Sequence, residues 1–150
     1  MLAFNNGIIY SKKGEFDIKD IDFIYTEWGK SMFLTQKRLI VGQNGKEILV
    51  DSSVKDGGFL EIIKHFEDIV EELEKDNKWI KLDSSTYINR RKVCRFSKYS
   101  GKEGQCYVLS FKGGNMLAKE NIPYETRQII KGEKILPGAL KTPIIEPDER

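Results

Sequence analysis

Residues 79–93 read WIKLDSSTYINRRKV. An apolar-rich strand over 79–82 runs into the small polar residues Asp83, Ser84 and Ser85, which favour a tight turn. A second short strand over 86–89 follows, and then Arg90, Arg91 and Lys92 bring three positive charges in a row. Short strands, tight turns and charge packed just beyond a buried-looking strand end set the reading of the whole chain. The burst is either a solvated loop or the place where the protein meets something negative.

At 150 residues the chain has the length of one domain, enough to enclose a core without disulfides or metal. Its 39% hydrophobic and 32% charged content is that of an ordinary globular protein. No apolar run approaches the roughly 18 residues that a membrane span needs. The start, MLAFNNGIIYSKKGEF, lacks the pattern of a secretory signal, so a cytoplasmic location is expected. Net charge is only +2 but unevenly spread. Residues 1–76 hold 10 Lys/Arg against 15 Asp/Glu, a net of −5, and residues 77–150 hold 15 against 8, a net of +7. Such asymmetry suits a one-sided contact with a polyanion, or simply two differently charged wet faces.

Working outward, GIIYS reads as a first strand and FDIKDIDFIYTE as an alternating run that Gly29 ends. SMFLTQKRLIV and EILVD are strands joined by the hairpin turn GQNGK. Phe59, Ile62, Ile63, Phe66, Ile69, Val70 and Leu73 recur at helical spacing, with Glu61, Lys64, Glu67, Asp68, Glu71 and Glu72 off that stripe. Strands are expected again over 92–97, 105–112 and 115–118, the last two separated by a KGGN turn. Pro123 suits the first turn of a short helix. These features predict a mainly β, α+β protein with one long amphipathic helix over about 58–75 and a short helix over about 123–131. Residues 1–131 are expected to form a single domain, and 132–150, which holds three of the four prolines, is expected to be an extended tail. The two halves echo each other faintly, each giving strands, a glycine turn, a strand and a helix.

Catalytic chemistry is missing. His65, the single histidine, flanks the apolar stripe of the long helix and has no Ser or Cys partner pattern. No phosphate-binding glycine loop opens a helix. The clustered carboxylates read as a wet helix face rather than a metal site, so no metal and no cofactor is expected. Cys94 and Cys106 lack the further ligands of a zinc set. A hairpin turning near Ser100–Gly101 puts them almost opposite each other. Two cross-strand thiols are expected, with a disulfide as the lesser alternative.

The order FDIKDIDFIY, then FLT, then LEII, then WIKLDSSTYINRRKV resembles the LytTR DNA-binding domain of bacterial response regulators. That domain's closing motif runs roughly F-x-R-I-H-R-S-Y-L-V-N-L-x-x-I. Laid on this chain, it puts Phe on Trp79, Ile on Leu82, Ser on Ser85, the apolar pair on Tyr87 and Ile88, Asn on Asn89 and the last Ile on Val93. The family's later glycine hairpin falls on GGNMLAKEN, and the likeness spans about residues 7–131.

The resemblance implies an elongated set of small antiparallel sheets and duplex DNA contact through loops, in a bacterial transcription regulator. Its three contact loops fall on Trp28–Ser31, which includes Lys30 and Ser31, on Ser84, and on about Lys119–Asn121. The family's Arg and His before the Ser are Ser84 and Asp83 here, and its late Arg falls on Glu120 or Asn121. Base-reading side chains are thus replaced. Asn89, Arg90, Arg91 and Lys92, with Arg95, Lys98 and Lys102 nearby, would supply phosphate contacts that position without specifying. The alternative is a protein-interaction module that kept the fold and lost the readers, with self-association or a protein partner reached through the tail. An enzyme is not expected.

Overall fold

The computed structural model describes residues 2–31, 34–54, 59–101 and 104–131. Lys102 and the tail over 132–150 lie outside the described residues. The protein is mainly β, with three antiparallel sheets and two α-helices.

The first sheet is a meander of β1 (Ala3–Asn5), β2 (Ile8–Ser11) and β3 (Gly14–Asp17). A five-stranded central sheet holds β4 (Phe23–Ser31), β5 (Leu34–Gln43), β6 (Lys46–Val54), β7 (Trp79–Asp83) and β8 (Thr86–Asn89). Its order is β6-β5-β4-β8-β7, so β4 joins the two hairpins. The third sheet is β9 (Val93–Gly101), β10 (Gly104–Phe111) and β11 (Met116–Lys119), with β10 in the middle. Helix α1 (Phe59–Leu73) packs on β5 and β6, and α2 (Tyr124–Lys131) packs on β7.

Alternation along the central strands feeds two separate cores. Ile24, Leu39, Val41 and Tyr87 join the first sheet and α1, whose Ile62, Phe66, Ile69 and Leu73 are all buried. Phe23, Ile80, Leu82 and Ile88 join the third sheet's Phe96, Leu109 and Phe111 and the Ile130 of α2. Each fully buried Ile, Leu or Phe contributes about 1.5–3 kcal/mol. The central sheet is therefore the middle layer, which explains why its strands carry apolar residues on both faces.

Turn chemistry pins the register. Asn44 and Gly45 have φ of 53° and 81°, and Gln43 pairs with Lys46 around them. Two successive positive φ values make the type I′ turn whose twist matches the flanking strands. The second glycine turn packs against this one, because a Cβ on Gly45 would lie 2.6 Å from the Gly113 carbonyl oxygen. Asn115 fastens the contact by donating to Asp22 at 2.9 Å and to the Lys46 carbonyl at 3.1 Å. The two turns that echo each other in sequence thus meet in space.

Three local expectations are corrected. Residues 16–27 do not form one alternating run. A turn at Asp17–Asp20, closed by the Asp20 N–H to the Asp17 carbonyl at 2.9 Å, divides them between two sheets. Gly29 does not end its strand either; it pairs with Gln36 inside β4, and the Arg38 guanidinium lies over its missing side chain. Lastly, the β9–β10 hairpin turns between Gly101 and Gly104, which are partners in the ladder. Cys106 then faces Tyr99, while Cys94 lies at the bulge near Phe111, roughly 16 Å further along the strand. Both cysteines are free.

Candidate nucleic-acid interface

The residues of the basic burst have different fates. Asn89 is fully buried, and its Nδ2 donates to the Ile21 carbonyl at 3.0 Å. Its Oδ1 accepts from the Arg91 backbone N–H at 3.2 Å, which caps the 3-10 turn over Arg90–Lys92. Arg91 reaches back and donates from Nη2 to Asp76 Oδ2 at 2.6 Å. Burial would raise the Asp76 carboxyl, but the Arg91 bond, the Lys78 backbone N–H and the two positive charges outweigh it and hold the pKa below its usual value. Arg90 is 4% exposed, and burial pushes its guanidinium down to about 10. Lys92 is half-buried, and its charge acts on the buried Asp22. Arg95 is exposed, with Nε donating to Ser97 at 3.1 Å. So the run RRK is mostly spent inside the fold.

Two of the segments singled out by the resemblance, the Ser84 turn and Lys119–Asn121, meet instead at the other end of β8, whereas Trp28–Ser31 is not a loop but lies within β4, paired with β5. Strand β8 is four residues long, which separates its ends by about 10 Å. Asp83 accepts from the Ser85 N–H at 2.9 Å and the Ser85 hydroxyl at 3.1 Å, which shapes the turn that exposes Ser84. The Thr26 N–H donates to the Ser85 carbonyl at 3.0 Å, fixing the turn to β4. Lys119, at the end of β11, donates to Thr86 Oγ1 at 2.9 Å and lies 3.0 Å from Asp83 Oδ2. Burial raises the Asp83 carboxyl, yet the Ser85 N–H and the Lys119 ammonium together lower it. Asn121 is exposed just beyond, before Ile122 re-enters the second core.

No family model, curated protein or solved structure matches this chain.

Past Thr26, the β4–β5 hairpin continues beyond β8, which pairs only with Phe23–Tyr25. Trp28 is 48% exposed, and the ammonium of Lys37 sits 4.8 Å from its ring centre. The two are directly opposed in the ladder, and Lys30 and Thr35 form the next pair on the same face. Burial lowers the Lys37 pKa. On the opposite face, Arg38 lies 3.7 Å from Glu27. Nothing in the sequence marks Lys37 as a contact residue. Only the ladder register, which sets it against Trp28, brings it to this end. The remaining sequence-derived residue, Ser31, closes β4 opposite Leu34.

The Ser84 turn and the Lys119–Asn121 segment thus share one end of β8, and the Trp28–Lys37 pair and exposed Lys30 lie further out along the β4–β5 hairpin, Lys30 about 13 Å past Thr26. Together these elements can supply cations, backbone groups and one aromatic face. Among the described residues, no group of three or more His, Cys, Asp or Glu is arranged to hold a metal ion. Nor is any described helix long and apolar enough to cross a membrane.

Proposed function

We propose that this protein is a LytTR-type transcription regulator that contacts duplex DNA through loops. The observation that carries the reading is the meeting of two sequence-distant segments, the β7–β8 turn and the end of β11, beside strand β4. The Thr26–Ser85 bond and the Lys119 contacts to Thr86 and Asp83 tie β4, the β7–β8 turn and the end of β11 into one surface. Lys30 and Lys37 add charge that would meet phosphate, and Arg95 extends it on the third sheet. Asn89, Arg90 and Arg91 serve the surface indirectly, by holding the far end of β8. Phosphate contacts dominate such an interface, so affinity is set more by salt than by sequence. The test is a fluorescence-anisotropy titration against mixed-sequence duplex DNA at two salt concentrations. Tight binding that weakens with a slope of about −0.9 per phosphate contact is the expected result. No binding at low salt would overturn the reading.

One observation favours a second reading, a protein-interaction module. Ser84 also lines a groove of about 280 Å³ whose walls include Phe66, Val70, Glu67, Glu71 and Glu74. Three carboxylates beside a contact loop repel phosphate and suit a basic protein segment. Light scattering over a concentration series checks the self-associating form of this reading, which a constant monomer mass would remove.

A further inference from the structure

The face of the central sheet that carries α1 is positive at one end and negative beside the helix. Along β4, alternation points Ile24, Thr26, Trp28 and Lys30 to one side, and Ile24 is buried in the core that α1 covers. Leu39 belongs to the same core, which puts Lys37 on that side of β5. Lys30 and Lys37 are diagonal neighbours in the ladder, about 7–8 Å apart. They bracket an indole ring that is 48% exposed.

The negative end is built from α1 and β8. Tyr87 pairs with Ile24 and so stands on the same face, with Trp28 about 13 Å further along β4. Its ring meets that of Phe66 edge-on, the centres 6.0 Å apart. With Val70, the two rings form the apolar floor of the groove described above. Glu67, Glu71 and Glu74 rim it, each about one turn after the last, over about 10 Å of helix axis. The Glu74 N–H still donates to the Val70 carbonyl at 2.8 Å, so the helical placement holds through the third glutamate. Burial and then the Glu74 charge raise the pKa of the Tyr87 hydroxyl. All three glutamates are exposed, and among the described residues none of them has an ion-pair partner.

A face with cations around an aromatic at one end, and carboxylates around an apolar floor at the other, is complementary to itself. A two-fold axis sets each hairpin against the other copy's groove, so both contacts form at once. We propose that this face joins two copies of the chain. The Trp28 ring of each copy is seated on the Phe66, Val70 and Tyr87 floor of the other, and Lys30 and Lys37 face Glu67, Glu71 and Glu74. The inference rests on the interaction-module reading of the groove and names its partner as a second copy. The tryptophan supplies apolar area at the centre of each contact, and the charges set the register. Lys37 already lies 4.8 Å from the Trp28 ring centre within each copy, which limits the ordering lost on docking.

The test is sedimentation velocity on the full chain over a concentration series at low salt. The parent should dimerise, with a dissociation constant that rises as salt is added. Glu67→Lys/Glu71→Lys and Lys30→Glu/Lys37→Glu should each raise that constant roughly tenfold or more, because like charges then meet in both contacts. An equimolar mixture of the two variants should dimerise again. In it the reversed hairpin meets the reversed groove, and the untouched hairpin meets the untouched groove. Damage to the fold would not give that recovery. A parent that stays monomeric overturns the proposal together with the self-associating form of the reading beneath it. A dimer indifferent to both reversals, or two weakened variants that mixing does not rescue, overturns the proposal alone. If a reversed variant does not fold, Trp28→Ala decides. It should weaken the dimer roughly tenfold, and an unchanged dimer there also overturns the proposal.

Discussion

Arg91 Nη2 lies 2.6 Å from Asp76 Oδ2, across the loop that carries the chain from α1 into β7. The second positive charge of the RRK run is therefore matched within the fold. Both side chains are somewhat under one-third exposed, which keeps the bond from being fully screened. The Asp76 carboxyl is depressed in the folded state, so it adds stability above its unfolded pKa of about 3.9, and that stability is lost as pH falls through the lower folded value. Asp76→Asn should cost about 1–2 kcal/mol at neutral pH and flatten the acid limb of the stability curve. Urea titrations at neutral pH and near pH 3 check this. Equal losses at both would remove the pair as a pH-dependent element.

Two glycines of neighbouring strands should respond differently to the same change. A Cβ on Gly42 would lie 2.3 Å from Phe23, whose ring is buried in the second core. One on Gly29 would lie 2.4 Å from the Arg38 guanidinium, the far end of a flexible and half-exposed side chain. Gly42→Ala should cost about 2–3 kcal/mol, whereas Gly29→Ala should cost under about 1 kcal/mol, as Arg38 swings aside. Thermal melts of the two variants rank them. A larger loss at Gly29 would mean that Arg38 is held more firmly than its ion pair with Glu27 implies.

The corrected hairpin register makes a redox prediction. With Cys94 and Cys106 separated along β9 and β10, no disulfide can form without unfolding the sheet. Mass spectrometry after alkylation without reductant should find both thiols modified once the protein is unfolded. Reductant should leave Tm unchanged. A two-dalton deficit in the intact mass would contradict the ladder.

The proposed interface is tested by its lysines. Lys30→Ala and Lys37→Ala should each reduce the salt slope of duplex binding by about one, with affinity falling uniformly across sequences. Lys75→Ala, on the exposed end of the α1 region, is the control and should change neither. An unchanged slope in both interface variants would move the contact surface away from the β4–β5 hairpin.

Much of this fold was legible in the sequence because its signals are local. The apolar stripe of α1, the Asn44–Gly45 turn, and the strands on either side of Asp83–Ser85 all follow from periodicity and turn chemistry within a few residues. Motif order took Trp28–Ser31 for a loop, but those residues lie inside β4. The contact of the β7–β8 turn with the end of β11 was not legible either, since it rests on bonds such as Lys119 to Thr86, 33 residues apart.

By itself, then, the sequence determined most of the strands and both helices, that the chain is mainly β, and where charge accumulates along it. Only the tertiary structure decided which charges remain available. Arg90 turns inward, Arg91 finds Asp76, and Lys37 comes to stand over Trp28. It also decided that residues 16–27 serve two sheets and that Cys94 lies far from Cys106. The physical reason is the same each time. Periodicity dictates how a residue sits on its own element, but its partner is chosen by ladder register and by which layers close over each face of the central sheet.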